Sequence, residues 1–133
     1  MSIEFVSRFA VDDRELSKLH ARAFDRNPAE VQPWSRRLEK HALTWIGAFD
    51  VDQLVGFIQV CWDGGAHAFL LDTAVDPDAR HQGIGAGLVE AAVNDARTAG
   101  CEWLHVDFEP HLEHFYLGRC GFRVTHAGLI QLR

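Results

Sequence analysis

The chain has 133 residues, 47% of them hydrophobic, which is enough to fill one core without disulfides or metals. Nineteen acidic against thirteen basic side chains leave a formal charge of -6, with no basic stripe to follow a phosphate backbone, and this argues against a nucleic-acid partner. No run of about 18 apolar residues exists to span a bilayer, the N-terminus Met1-Ser2-Ile3-Glu4 carries no apolar secretory stretch, and Cys61, Cys101 and Cys120 form no C-x-x-C pair, so one cytoplasmic domain over residues 1–133 with reduced thiols is expected.

Residues 3–8 read as a short strand. Asp12 or Asp13 can cap a following helix in which Leu16, Leu19, His20, Ala23 and Phe24 recur at helical spacing and which should end near Asn27-Pro28. Residues 27–34 hold two prolines and no periodic pattern, marking a loop ahead of a second short helix over residues 35–41. Residues 44–49 and 54–62 are rich in aromatic and β-branched side chains and flank the tight connection 50–53, so they form a hairpin. Asp63-Gly64-Gly65 turns the chain into a third antiparallel strand, residues 66–75, which halts at Asp76-Pro77.

The pattern then changes period. Ile84, Leu88, Ala91, Ala92, Asp95, Ala96 and Ala99 fall largely on one face at 3.6 residues per turn, and Gly100 stands where helices stop, which predicts a helix over residues 83–99. A strand over 101–108, a helix over 112–119 ending at Gly121, and a closing hairpin of 122–125 with 128–132 complete the chain. Strand, helix, strand over residues 66–108 is a βαβ unit with parallel strands. The fold class is therefore α+β: a mixed sheet with an antiparallel N-terminal meander, a central βαβ unit, and a C-terminal helix plus hairpin.

Between the strand that ends at Val75 and the long helix lies Asp76-Pro77-Asp78-Ala79-Arg80-His81-Gln82-Gly83-Ile84-Gly85-Ala86-Gly87. A helix N-terminus offers amide protons without partners and a partial positive charge, and glycine lets an anion approach that backbone without meeting a Cβ. Arg80 adds a charged donor. The same glycines also suit a plain turn into a helix packed tightly on a sheet.

With Arg80, Gly83 and Gly85 in register, this run resembles the acetyl-CoA signature of the GNAT superfamily of N-acetyltransferases: Arg or Gln, two residues, Gly, one residue, then Gly or Ala. Phe115-Tyr116 followed by Gly121-Phe122 looks like the family's second signature, and the resemblance covers nearly the whole chain apart from residues 25–42. It implies a GNAT-like fold and an acyltransferase that takes acetyl-CoA as co-substrate and moves the acetyl group onto a small-molecule or peptide amine by direct attack. It also implies that backbone amides at His81, Gln82, Gly83, Ile84, Gly85 and Ala86, with Arg80, wrap the pyrophosphate. An amide at Ala74 or Val75 would hold the thioester carbonyl, and Tyr116 would be the general acid. Two departures from the family pattern are Glu109-Pro110, where many relatives carry asparagine, and Phe69 with Leu71, which cannot titrate where some members place a base.

Attack on a thioester needs a neutral amine, so a proton acceptor is required. Asp72 interrupts an otherwise apolar strand, and His105 and Asp107 alternate with Leu104, Val106 and Phe108, so these three are the candidate bases. Each also reads as ordinary structure: a hydrogen-bonded carboxylate at a bulge, or a polar strand face. Tyr116 shares a helical face with Leu112, Phe115 and Arg119 and also reads as core. Phe24, Trp34 and Trp45 suit either an acceptor pocket or the core.

Other readings stay open. An acyl-CoA-binding module without turnover would need the same cofactor residues. A dinucleotide site would use Gly83-Ile84-Gly85 and Asp107, although Leu88 stands in the place of the third glycine. His105, Asp107, Glu109, His111, Glu113 and His114 are dense in metal-ligand types, but the spacing fits no H-E-x-x-H pattern, and no metal is expected. The closing strand near Ile130 could pair with another copy, leaving monomer or homodimer.

Overall fold

The computed structural model describes residues 2–27 and 30–133. One sheet holds β1 (Ile3–Ser7), β2 (Ala42–Asp50), β3 (Gln53–Trp62), β4 (His67–Val75) and β5 (Trp103–His105), side by side in chain order. β1 to β4 form the expected antiparallel meander, and β4 runs parallel to β5 through the crossover helix α3 (Ile84–Thr98). α1 (Asp13–Ala23) and α2 (Trp34–His41) connect β1 to β2.

Side-chain alternation along the central strands splits the core between two faces. On one face Trp45 and Phe57 pack with Leu16 and Leu19 of α1 and Trp34 and Leu38 of α2. On the other, Ile46, Ile58 and Val60 pack with Ile84, Leu88, Val89 and Ala92 of α3. β3 is covered on both sides, which is why it reads as a nearly continuous apolar run. Gln59 is the polar exception in that run, and it is buried.

The helix ends follow local chemistry. Asp12 accepts from the backbone N–H groups of Arg14 and Glu15 at 2.9 and 3.0 Å, capping α1 as expected. α1 stops at Ala23, earlier than the expected Asn27-Pro28: Asp25 takes a left-handed φ of 52°, and the Arg26 N–H closes onto the Ala21 carbonyl at 2.8 Å. Pro28 lies outside the described residues, as do Met1 and Ala29. The N–H of Ser35, in the first turn of α2, is bound at 2.8 Å by the side chain of Asp13 in α1, which ties the two helices together. α3 ends at Gly100 as expected, with φ of 90° and the Cys101 N–H on the Ala96 carbonyl at 3.0 Å.

Three expectations fail near the C-terminus. β5 is three residues long, not the eight expected over 101–108, because β4 and β5 part after Phe69 and His105 and leave nothing for residues 106–108 to pair with. The helix expected over 112–119 is a 3₁₀ turn, Pro110–Leu112, followed by a π-helical turn, His114–Arg119. No strand forms over residues 122–132, so the closing hairpin is absent. The alternating apolar residues there have no face to pack on: Leu129, Ile130 and Leu132 are 91%, 80% and 85% exposed. A strand propensity is a preference for a half-buried pleated surface, and it has no effect where that surface is missing.

Gly56 of β3 sets how closely α3 can approach. A Cβ built there would stand 2.9 Å from Ile84 Cγ2 and 3.1 Å from both Ala48 Cβ and Leu88 Cδ1. Its absence lets the first turn of α3 press onto the sheet. Gly56→Val should lower the free energy of urea unfolding by about 1–3 kcal/mol through overpacking; an unchanged midpoint would mean that α3 can lift away freely.

Candidate active site

β4 and β5 pair only at His67↔Trp103, Ala68↔Leu104 and Phe69↔His105. Beyond Phe69, β4 continues to Val75 with no strand on that side, and the sheet opens. Tyr116 of the π-helical turn reaches this open edge and donates from its hydroxyl to Thr73 Oγ1 at 3.1 Å. Phe108 stacks on its ring at 5.1 Å between centroids, and Phe115 and Phe122 meet it edge-on at 4.9 and 6.0 Å. These contacts hold the ring, so the hydroxyl is aimed by packing. Burial pushes the Tyr116 phenol upward, outweighing the hydrogen bond to Thr73, and the phenol is therefore protonated at neutral pH.

One residue earlier, β4 is bulged. Phe57 pairs with Ala74 and Gln59 with Leu71, so Ile58 alone faces both Asp72 and Thr73, and Asp72 adopts a φ of 58°. The bulge turns Asp72 to the α1 face. There its carboxylate receives the Gln59 side-chain amide at 2.6 Å and lies 2.9 Å from His20 Nε2 of α1. Burial raises the Asp72 carboxyl, but the bonds from His20 and Gln59 and the charges of His20 and Arg37 outweigh it and hold the group below its ordinary range. Gln59 Oε1 accepts from the Cys61 thiol at 3.2 Å. Burial and the charge of Asp72 push that thiol up, so it stays neutral. His20 packs between Phe24 and Trp34, at 4.6 and 5.0 Å, and Arg37 lies over the Trp34 ring at 4.8 Å.

The chain enters α3 through a 3₁₀ turn, Pro77–Ala79, with left-handed φ at His81 (65°) and Gly83 (76°). Gly83 is the N-cap of α3 and no side chain caps it. Among the described residues, the only atom that a Cβ added there would meet within 4 Å is Arg119 Nη2, at 3.4 Å. The α3 N-terminus therefore pairs uncapped amides with a guanidinium and open space, a combination that suits an anion. Gly85 and Gly87 have a different use. A Cβ at Gly85 would stand 3.2 Å from the Phe115 ring and one at Gly87 would collide with the Phe5 ring, so these glycines serve helix packing. Arg80 points elsewhere, to the Ala23 carbonyl at the end of α1, at 3.4 Å.

Of the residues singled out from the sequence, Tyr116, Asp72, Ala74, Val75 and the segment from Arg80 to Ala86 fall on the open edge of β4 or on the turn that follows it. His105 does not join them: its Nε2 is 2.7 Å from His67 Nδ1 and its ring stacks on Phe69 at 4.6 Å. Asp107 is exposed beyond the end of β5. Trp45 is core, donating to the Phe9 carbonyl at 2.9 Å, whereas Trp34 and Phe24 border His20. Among the described residues, no three His, Cys, Asp or Glu side chains gather as a metal site. The sequence reading missed His20, Gln59, Thr73 and Arg119. One signal was present: His20, Gln59 and Asp72 each interrupt an apolar stretch, as expected if all three face one polar point.

The sequence pattern of the Acetyltransferase (GNAT) family matches residues 9–122, and the chain belongs to that family; it is an acyltransferase. Solved structures share its fold along its whole length. An acetyltransferase from Trypanosoma brucei superimposes with a TM-score of 0.82 at 19% identity, covering 99% of each chain. A GNAT family acetyltransferase from Streptococcus pneumoniae gives 0.79 at 22% identity, covering 99% of this chain and 98% of its own. Glucosamine-6-phosphate N-acetyltransferase from Arabidopsis thaliana gives 0.77 at 14% identity, covering 98% of each. No curated protein matches the sequence. The dinucleotide alternative fails on the sheet, in which β4 with β5 is the one parallel pair among the described residues, and Leu88 is wholly buried core.

Because the Asp72 carboxyl is depressed in the folded chain, its contribution to stability is present above its unfolded value and lost as pH falls through the folded one. Asp72→Asn should therefore be less stable than the parent by about 1–3 kcal/mol at pH 7. The difference should shrink as pH drops below the ordinary carboxylate range, as followed by urea unfolding at a series of pH values. A gap that is constant down to strongly acidic pH would contradict the assignment.

Proposed function

We propose that residues 1–133 act as one domain that transfers the acetyl group of acetyl-CoA to a primary amine by direct attack. The observation that carries this reading is the pairing of an uncapped α3 N-terminus at Gly83 with a protonated, caged Tyr116 at the opening of β4. Backbone amides from His81 to Ala86 would bind the pyrophosphate, with Arg119 as the nearby cation in place of Arg80. The unpaired edge of β4 near Ala74 and Val75 would hold the thioester carbonyl.

On this reading the acceptor amine adds to the carbonyl carbon, the C–S bond breaks, and Tyr116 gives its proton to the departing sulfur. The raised Tyr116 value suits this role, since a phenol that is fully protonated before reaction is ready to donate. Neither Cys61 nor Cys120 competes as nucleophile: burial raises both, and their thiols are neutral. Neither nucleic acid nor membrane is needed as partner; among the described residues no helix is long and apolar enough to cross a membrane. We place the protein in the cytoplasm as a monomer or homodimer. The second reading, acyl-CoA binding without turnover, shares the cradle and differs at Tyr116.

One variant tests the shared cradle and a second tests the proposed acid. Gly83→Asp should abolish acetyl-CoA binding in calorimetry, because it puts a carboxylate and a strained left-handed side chain at the proposed phosphate position. Tyr116→Phe should keep the affinity and lower turnover on a responsive amine by about 10²-fold or more, with free thiol as the readout. Tight binding by the Gly83 variant would exclude the cradle. Binding by the parent without thiol release from any amine would favour the non-catalytic module.

A further inference from the structure

Granted the acetyltransferase reading, the reaction still needs a proton acceptor for the incoming ammonium, and the three residues nominated from the sequence do not serve. His105 is engaged with His67 and Phe69, and Asp107 stands exposed past the end of β5. Asp72 is in the right place, but His20 on one carboxylate oxygen and Gln59 on the other hold it ionised and make it a weak base. We infer that His20 is the general base, accepting the proton on Nδ1, and that Asp72 is the residue that positions it.

The geometry gives each atom a role. An ionised carboxylate only accepts hydrogen bonds, so His20 Nε2, at 2.9 Å from Asp72 Oδ1, carries the imidazole proton. The lone pair is then on Nδ1, which has no protein partner among the described residues. The ring is held by Phe24, just past the end of α1, and Trp34 of α2, while 12% of the side chain is open to solvent, so it is fixed in direction yet reachable. Asp72 and Thr73 are consecutive, with Cα atoms about 3.8 Å apart. The bulge sends the first to His20 and the second to Tyr116. Base and acid are thereby mounted on neighbouring residues of the same open edge.

The protons balance. The acceptor ammonium loses one proton to His20 Nδ1, and the freed lone pair forms the N–C bond. The C–S bond breaks and sulfur takes the Tyr116 proton. The second proton from the amine nitrogen restores the phenol, and the imidazolium releases its own to water. Around the pair, Asp72 on β4 faces His20 directly, the charge of Arg37 on α2 and the neutral Cys61 on β3 act on Asp72, and Arg22 on the helix of His20 is engaged with Asp76 and Asp78.

The test uses the intact chain with acetyl-CoA and an amine panel, following free thiol against pH. His20→Gln is expected to bind acetyl-CoA as the parent does, to lose about 10²-fold or more in kcat, and to lose the acidic limb of the kcat/KM profile. Asp72→Asn is expected to bind acetyl-CoA as the parent does, to lose about 10-fold or more in kcat, and to lose the preference for the Nε2 tautomer, since the carboxylate that accepts from Nε2 is gone. Nitrogen NMR of the parent reads the tautomer without any variant, and the proton should reside on Nε2. A proton on Nδ1, or a His20→Gln enzyme that keeps its kcat and its acidic limb, overturns the inference and leaves the acetyltransferase reading intact. A parent that binds acetyl-CoA and acetylates no amine overturns both.

Discussion

A left-handed Asp72 in the middle of β4 is the constraint on which the rest of the site depends. A non-glycine residue at positive φ is disfavoured by about 1–2 kcal/mol. Two hydrogen bonds to its carboxylate, from His20 and Gln59, offset that strain, each being of the charge-assisted kind worth about 1.5–3 kcal/mol. The bulge has two geometric results. It directs consecutive side chains to different structural elements, and it lies where β4 has already lost β5 as a neighbour. A regular strand would have buried Asp72 without partners or placed Thr73 away from Tyr116.

The two sides of the opening are held by different means. Tyr116 is fixed by aromatic packing within residues 108–122, and the π-helical turn, closed by the Cys120 N–H on the Phe115 carbonyl at 2.9 Å, presents it. His20 is fixed from α1, and α1 is bound in turn to the loop before α3. Arg22 meets Asp76 at 3.0 Å and Asp78 at 3.2 Å, and Arg80 reaches the Ala23 carbonyl. Each of these surface contacts is worth little alone. Together they connect the helix that carries the proposed base to the turn that forms the proposed phosphate cradle. This gives Arg80 a structural reason to be where it is, and it leaves Arg119 as the guanidinium beside Gly83.

The glycines show how far a sequence pattern can be trusted. Three of them before and within one helix suggested a single purpose, close approach of an anion. Gly83 retains that purpose, with a left-handed φ and open space, whereas Gly85 and Gly87 make room for the rings of Phe115 and Phe5. Similarly, His105 and Asp107, in the dense acidic and histidine stretch from 105 to 114, were candidate bases because alternation along a strand would aim them together. His105 instead pairs with His67, and Asp107 faces solvent, because a strand three residues long imposes no alternation beyond its end.

The meander, the βαβ crossover, the Asp12 and Gly100 helix boundaries and the family signatures were legible in the residues, since each rests on interactions within a few positions of the chain. Period-2 alternation, a capping carboxylate and a left-handed glycine act locally and leave local marks. The approach of His20 to Asp72 across 52 positions, the break between β4 and β5, and the absent C-terminal hairpin left no such marks. They depend on which surfaces meet after the sheet has formed. A histidine on an apolar helix face and an aspartate in an apolar strand are each readable as an anomaly; that they answer one another follows from packing α1 across the bulge.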